Sequence, residues 1–228
     1  MKKHQTIPVI TVDGPSGSGK GTISRMLARE LGFHFLDSGA LYRLLAYAAG
    51  QRGIALDDEP ALVKLSAELD IRFPADDDSD LVVLGGQDVT SAIRTEQAGR
   101  GASLVAALPA VRQALLERQR DFRKAPGLVA DGRDMGTVVF PAADAKIFLT
   151  ASAEERARRR CNQLKELGLE PVFEDILADI KARDERDANR PVAPLRPAPD
   201  AERVDTSGLD IPATIERVRN LVKNHLNQ

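Results

Sequence analysis

DGPSGSGKGT, residues Asp13–Thr22, is the stretch from which the fold can be read. It follows the short apolar run Ile7–Val12 and precedes apolar residues at helical spacing. Glycines between a strand and a helix let backbone N–H groups curl round an anion at the positive end of that helix. The order strand, loop, helix therefore predicts a nucleotide-binding phosphate loop, with Lys20 reaching the outer phosphates. The alternative is a glycine-rich turn without a ligand, and the lysine in this context argues against it. The residues predicted to bind the donor phosphates are Gly14, Pro15, Ser16, Gly17, Ser18, Gly19, Lys20, Gly21 and Thr22.

The composition limits the classes of function. The chain has 228 residues, a formal net charge of −2 and 4% aromatic residues, which leaves no global basis for binding nucleic acid. One cysteine, Cys161, excludes a disulfide within the chain and fits the cytoplasm. His4, His34 and His225 lie outside every motif, so we expect no histidine in the chemistry.

Strand-like and helix-like segments alternate along the chain, which predicts an α/β fold with a mainly parallel sheet. Helices are expected after the loop up to Gly32, from 41 to 49 with an end at Gly50, and around Val111, Leu115 and Phe122. A Ser152 capping box predicts one more helix toward Gly168, and another closes the chain. The expected strands are 7–12, 33–36, 128–130, 146–149 and 203–206.

Residues 60–95 differ from this alternating pattern. Leu69, Ile71 and Phe73 alternate with charged residues, as in a half-exposed strand. The run 76–80 reads as a solvated turn, and Gly85–Asp88 reads as a hairpin. The sequence therefore predicts a small antiparallel β lobe inserted into the core.

Phosphoryl transfer brings two polyanions together, and arginines are the usual means of neutralising them. Arg43 follows DSGALY, and Arg133 lies in DGRDMG just after a strand, where α/β sheets bind ligands. Asp131 ends that strand, a position typical of a magnesium-linked carboxylate. Arg183, Arg186 and Arg190 form a further group, and four arginines lie within 156–160. For the last cluster, a solvated helix face with i,i+4 ion pairs is the alternative.

Four motifs together carry a resemblance. DGPSGSGKGT (13–22), DSGALYR (37–43), DGRDMGTVVFP (131–141) and RDERD (183–187) are similar to those of the bacterial cytidylate kinases, from about Pro8 to the last helix. The resemblance implies a three-layer P-loop core over 1–228, an inserted CMP-side lobe at about 60–105 and a helical lid at about 152–170. It implies transfer of the γ-phosphoryl group of ATP to CMP or dCMP with Mg²⁺, by an enzyme that we expect to be a monomer.

The resemblance also implies roles for individual residues. Ser38, Arg43, Arg133 and Arg183 would hold the CMP side, and Ser38 stands where many family members have Thr. Ser103, Arg112 and Asp134 would read the cytosine edge, while Asp187 and Arg190 would meet the sugar. Arg156 or Arg159 of the lid would reach the phosphates, and Thr22 would supply the hydroxyl near magnesium. The residues expected to act in catalysis are Lys20, Arg133, Arg159 and Arg183.

Other classes of function would explain parts of the sequence. A relative that phosphorylates UMP, AMP or an alcohol would keep the loop, although an alcohol acceptor would need a catalytic carboxylate. A regulatory nucleotide-binding module would not need arginines at several strand ends, and the chain has no Asn-Lys-x-Asp guanine motif.

Overall fold

The computed structural model describes residues 7–72 and 81–226, and the chain divides into two compact units. One unit consists of residues up to Leu36 together with those from Phe122 onward. The other is Asp37–Asp121. The predicted turn at 76–80 and Phe73 lie outside the described residues.

The first unit contains a five-stranded sheet in the order β2-β6-β1-β7-β8, in which β6, β1, β7 and β8 pair in parallel. Its elements in chain order are β1 (Val9–Asp13), α1 (Lys20–Leu31), β2 (His34–Asp37), β6 (Leu128–Gly132), a π-helical turn (Met135–Val139), β7 (Ala145–Thr150), α6 (Ala153–Glu166), α7 (Phe173–Asn189), β8 (Glu202–Asp205) and α8 (Ile211–Leu226). Asp37, the last residue of β2, already belongs to the second unit.

The core of the first unit explains why the sheet forms. All five residues of the central strand β1 are buried, as expected for a strand with neighbours on both sides. Helices α1 and α8 cover the sheet with apolar side chains, among them Ile23, Leu27 and Val218. Gly32 ends α1 with φ 65°, a left-handed conformation that favours glycine.

The second unit contains four helices and a small antiparallel sheet in the order β3-β4-β5. Its elements are α2 (Ser38–Gln51), α3 (Glu59–Glu68), β3 (Ile71–Arg72), β4 (Val83–Leu84), β5 (Gln87–Asp88), a 3₁₀ turn (Ala92–Arg94), α4 (Glu96–Val105) and α5 (Pro109–Arg120). Apolar residues of α2, α3, α4 and α5 share one core, so the compact unit extends on both sides of the lobe predicted at about 60–105. The domain division stays a prediction.

The predicted fold class is confirmed: a mainly parallel sheet with flanking helices, plus a small antiparallel sheet. Three local predictions were wrong. Helix α2 continues past Gly50 to Gln51, α5 ends at Arg120 before Phe122, and Leu69 follows α3 rather than starting a strand. Within the described residues, none of the helices is both long and apolar enough to cross a membrane.

Candidate active site

The phosphate loop connects the buried strand β1 to helix α1, as the sequence predicts. Gly14 has φ 154°, and a Cβ there would lie 2.0 Å from the carbonyl oxygen of Leu149, so only glycine fits. Helix α1 begins at Lys20, whose side chain folds back and donates to the carbonyl of Pro15 at 3.2 Å. The N-terminus of α1 and the buried ammonium group of Lys20 therefore both lie at the phosphate loop. Such an arrangement binds phosphate.

A carboxylate lies beside this loop. Asp131, near the end of β6, has its Oδ1 atom 3.9 Å from the Lys20 ammonium nitrogen. Its other oxygen would lie 3.2 Å from a Cβ on Gly21, so the absent side chain at 21 leaves room in front of the carboxylate. Thr22 is exposed one residue further on. Carboxylate and hydroxyl oxygens are ligands that Mg²⁺ accepts, and these residues therefore fit a magnesium ion.

Among the described residues no group of three or more His, Cys, Asp or Glu side chains could hold a metal. One carboxylate and one hydroxyl leave most of an octahedral shell to phosphate oxygens and water. The donor set fits an ion that arrives with a nucleotide.

Four predicted acceptor residues of the first unit lie in two buried ion pairs. Arg133 donates through Nε to an Asp187 carboxylate oxygen at 2.9 Å, and an Arg190 nitrogen lies 3.7 Å from Asp134. Arg190 also donates to the carbonyl of Ala193. The pairs join the turn after β6 to the end of helix α7. They bring together residues that are more than 50 positions apart in the sequence; Arg133 and Asp187 are 54 positions apart.

Arg133 and Asp187 shift each other's pKa. Burial disfavours the charged form of Arg133 and so acts to lower its pKa. The Asp187 carboxylate outweighs burial and raises the pKa of the guanidinium above its usual value. Burial acts to raise the pKa of Asp187. The opposite effect is larger: the pKa falls below its usual value because of the positive charges of Arg133, Arg183 and Arg190. Asp187 is therefore ionised at neutral pH, and Arg183 belongs to the same electrostatic group.

The second unit holds the other predicted acceptor residues. Ser38 donates its hydroxyl to the side chain of Gln119 at 2.6 Å, and Arg43 pairs with Asp37 at 2.8 Å. Arg112 lies 5.6 Å above the ring of Tyr42 and is buried. Tyr42 itself belongs to the core of this unit. Ser103 is buried on α4.

The arginines of α6 differ in their surroundings. Arg156 is buried and donates to both carboxylate oxygens of Asp184 on α7 and to the carbonyl of Ser16 in the phosphate loop. Arg159 donates to Glu155 and to the hydroxyl and carbonyl of Thr206. The side chain of Arg158 is 64% exposed. Ser152 caps this helix by accepting from the N–H of Glu155, as predicted.

Several residues that hold these side chains were missed by sequence reasoning. Asp184 lies inside the RDERD motif, so the sequence could have indicated that its carboxylate pairs with an arginine. Asp13, directly before the loop, accepts from two backbone N–H groups of the DGRDMG turn. Gln119 and Thr206 have no signal in the sequence, because their partners Ser38 and Arg159 are 81 and 47 positions away.

Comparison with known proteins supports one family. The family model described as "Cytidylate kinase" matches residues 10–224. A cytidylate kinase of Pseudomonas paraeruginosa is 60% identical over 94% of this chain and 95% of its own length. A cytidylate kinase of Vibrio parahaemolyticus is 57% identical over 96% of this chain and 97% of its own. Among solved structures, thymidylate kinase from Candida albicans covers 97% of this chain and 93% of its own at 15% identity, with a TM-score of 0.44.

Proposed function

The chain belongs to the cytidylate kinase family, and we propose which of its side chains carry out the reaction. The enzyme is a nucleoside monophosphate kinase: it transfers the γ-phosphoryl group of ATP to CMP or dCMP, giving ADP and CDP or dCDP. The observation that supports our assignment of residues is the concentration of buried cationic side chains around the end of β6 and the phosphate loop.

ATP binds to the loop Gly14–Thr22 with its phosphates against the backbone N–H groups and the start of α1. Lys20 exchanges its bond to the Pro15 carbonyl for a bond to the outer phosphates. Asp131 and Thr22 would hold Mg²⁺, which when bound would offset the negative charge that develops on the phosphate oxygens. Arg156, next to the Ser16 carbonyl, lies beside the same loop.

The residues expected to bind CMP are assigned for each unit by itself. In Asp37–Asp121, Ser38 and Arg43 bind the acceptor phosphate, while Ser103 and Arg112 contact the base. In the other unit, Arg133 and Arg183 bind the acceptor phosphate and Asp187 and Arg190 contact the sugar. Asp134 accepts from the cytosine amino group, where uracil presents a carbonyl that the carboxylate repels.

The reaction needs positioning and charge neutralisation rather than a general base. An acceptor phosphate with a second pKa near 6 is already largely ionised at neutral pH. Two unit charges 4 Å apart repel by about 4 kcal/mol at an effective dielectric of about 20, and several such pairs form between ATP and CMP. Lys20, Arg133, Arg159 and Arg183 offset this repulsion, and a single arginine on the transferred group is worth roughly 10³–10⁵ in rate.

Helix α6 acts as part of a lid that excludes water from the transferred group. Arg159 then leaves Thr206 to reach the phosphates, which makes it the catalytic arginine of the lid. Arg158→Ala is the matched control, because this neighbouring arginine is exposed. We expect Arg159→Ala to reduce kcat at least 100-fold and Arg158→Ala less than threefold; equal effects would remove Arg159 from the mechanism.

The first experiment measures ADP formation from ATP and Mg²⁺ with CMP, dCMP, UMP and AMP offered separately. Fast turnover is expected only with CMP and dCMP. Asp134→Ala is expected to reduce the preference for CMP over UMP at least tenfold. An unchanged preference would show that Asp134 does not read the base, and ATP consumption without any acceptor would contradict the acceptor assignment as a whole.

The last expectations are the oligomeric state of the enzyme, its cellular compartment and its partners. We infer a monomer that works in the cytoplasm, where ATP and CMP are metabolites, and that needs no nucleic acid partner. Sedimentation at micromolar concentration, with and without both nucleotides, tests the monomer.

A further inference from the structure

Asp13 links the two nucleotide-binding elements of the first unit. It is the last residue of the central strand β1, and the next residue, Gly14, starts the phosphate loop. In the sheet it stands opposite Gly132 of β6, the residue before Arg133. Asp13 is 4% exposed, so its carboxylate is enclosed by protein.

Both oxygens of this carboxylate are used. Oδ1 accepts from the N–H of Met135 and Oδ2 from the N–H of Gly136, each at 2.8 Å. Two backbone donors fix the direction of a turn as well as its distance, because each bond restricts a different part of the peptide. The turn after β6 is therefore attached by hydrogen bonds to the residue that precedes the phosphate loop.

The turn also has little freedom around Gly136. A Cβ at Gly136 would lie 2.9 Å from the hydroxyl oxygen of Thr11 and 3.2 Å from a side-chain carbon of Lys146. Only glycine lets the backbone approach β1 this closely, and the carboxylate of Asp13 holds it there. The residues so fixed follow Arg133 and Asp134 directly in the chain.

We propose that Asp13 is a positioning residue, which holds the turn bearing Arg133 and Asp134 at a fixed distance from the phosphate loop. The proposal rests on the proposed roles of Arg133 and Asp134 in binding CMP. Asp13 touches neither nucleotide. It acts through the backbone of Met135 and Gly136, so that the acceptor-binding charges keep their place relative to the donor phosphates.

The electrostatics of Asp13 agree with this geometry. Burial raises the pKa of its carboxyl group to about 7, with Asp134 and Asp131 adding to the rise, while the N–H groups of Gly136 and Met135 lower it. A buried carboxylate costs free energy unless it is hydrogen-bonded, and the two amides supply those bonds. The test is made at about pH 8, where Asp13 is ionised.

The test is Asp13→Asn, which keeps the shape but presents an NH₂ group to one of the two N–H donors. We expect kcat/KM for CMP to fall roughly 100-fold, as for a misplacement of about 1 Å, and the preference for CMP over UMP to fall with it. The Kd for ATP, measured by calorimetry on the folded variant, should change less than about threefold. A role only in folding would lower the melting temperature without separating CMP from ATP.

Thr11→Val is the matched control, because Thr11 lies on the same strand, is fully buried and also neighbours Gly136. Its hydroxyl has no hydrogen-bond partner within the described residues, so removal should leave both substrates unaffected. If Asp13→Asn does not fold, Gly136→Ala moves the turn with Asp13 intact and should show the same selective loss of CMP. Full activity of folded Asp13→Asn, or equal losses for ATP and CMP, would overturn the proposal. A wild-type chain that did not phosphorylate CMP would instead overturn the activity itself.

Discussion

At the scale of the residue, the carboxyl group of Asp13 makes stability depend on pH in an unusual direction. Its pKa is about 7 in the folded chain, against 3.8 as the ordinary value. Between these values the folded state holds a proton that the unfolded state has lost, so stability falls as the pH rises through this window. In Asp13→Asn this contribution is absent. The free energy of unfolding of the variant relative to the wild type should therefore rise by about 2–3 kcal/mol between about pH 5 and pH 8.

Urea unfolding of both chains at several pH values measures this difference, since the titrating groups that do not interact with residue 13 cancel between them. Altered hydrogen bonds at residue 13 add a constant that does not vary with pH. A difference that stays constant over the window would mean that Asp13 keeps an ordinary pKa, and the burial argument would be wrong.

The same residue shows what a sequence can reveal of a site. Arg133 and Asp134 could be recognised as candidate site residues from the sequence, because two charged residues follow an apolar strand and stand between glycines. The hydrogen bonds by which Asp13 holds their turn could not be predicted from the sequence. Asp13 and Met135 are 122 positions apart, and their contact depends on which strands are neighbours in the sheet. Side chains that could touch a ligand leave a local pattern, whereas residues that hold them through backbone N–H groups do not.

At the scale of the element, helices α6 and α7 are joined by pairs of very different strength. Arg156 and Asp184 form a pair in which the arginine side chain is 4% exposed, whereas Lys181 and Glu154 are 58% and 53% exposed. Loss of one partner from a buried pair leaves an uncompensated charge, while exposed pairs contribute little. Asp184→Asn should therefore destabilise the chain by about 1–3 kcal/mol and Glu154→Gln by less than about 0.5 kcal/mol.

Chemical denaturation of the two variants decides this prediction. Each removes one carboxylate charge from the same helix pair, so net charge is matched. Asp184→Asn should also free Arg156 from α7 and raise hydrogen exchange in α6. Equal stability of both variants would show that the Arg156–Asp184 pair does not fasten α6 to α7.

Most elements were readable because their ends carry local chemistry. Gly32 and Ser152 mark a helix end and a helix start by backbone conformation and side-chain capping. Phe122 was misplaced because its spacing continues the apolar period of α5 after the helix has ended in a turn. The order β2-β6-β1-β7-β8 could not be read, since parallel neighbours are joined by long crossovers that leave no pairing signal in the sequence.

At the scale of the whole molecule, the donor and acceptor sites should stabilise the chain separately. A ligand present at about 100 times its Kd adds about 2.7 kcal/mol, which raises the melting temperature of a chain of this length by about 5–10 °C. ATP with Mg²⁺ and CMP, each offered alone, should both produce such a shift without turnover. Lys20→Ala should abolish the shift by ATP and keep the shift by CMP, because Lys20 donates to the Pro15 carbonyl of the phosphate loop and lies beside Asp131, on the side proposed for the donor. Asp134→Ala should do the reverse, and Arg158→Ala should keep both. A Lys20→Ala chain that loses both shifts would show that the two nucleotides depend on one site, and the assignment of separate donor and acceptor residues would then have to be abandoned.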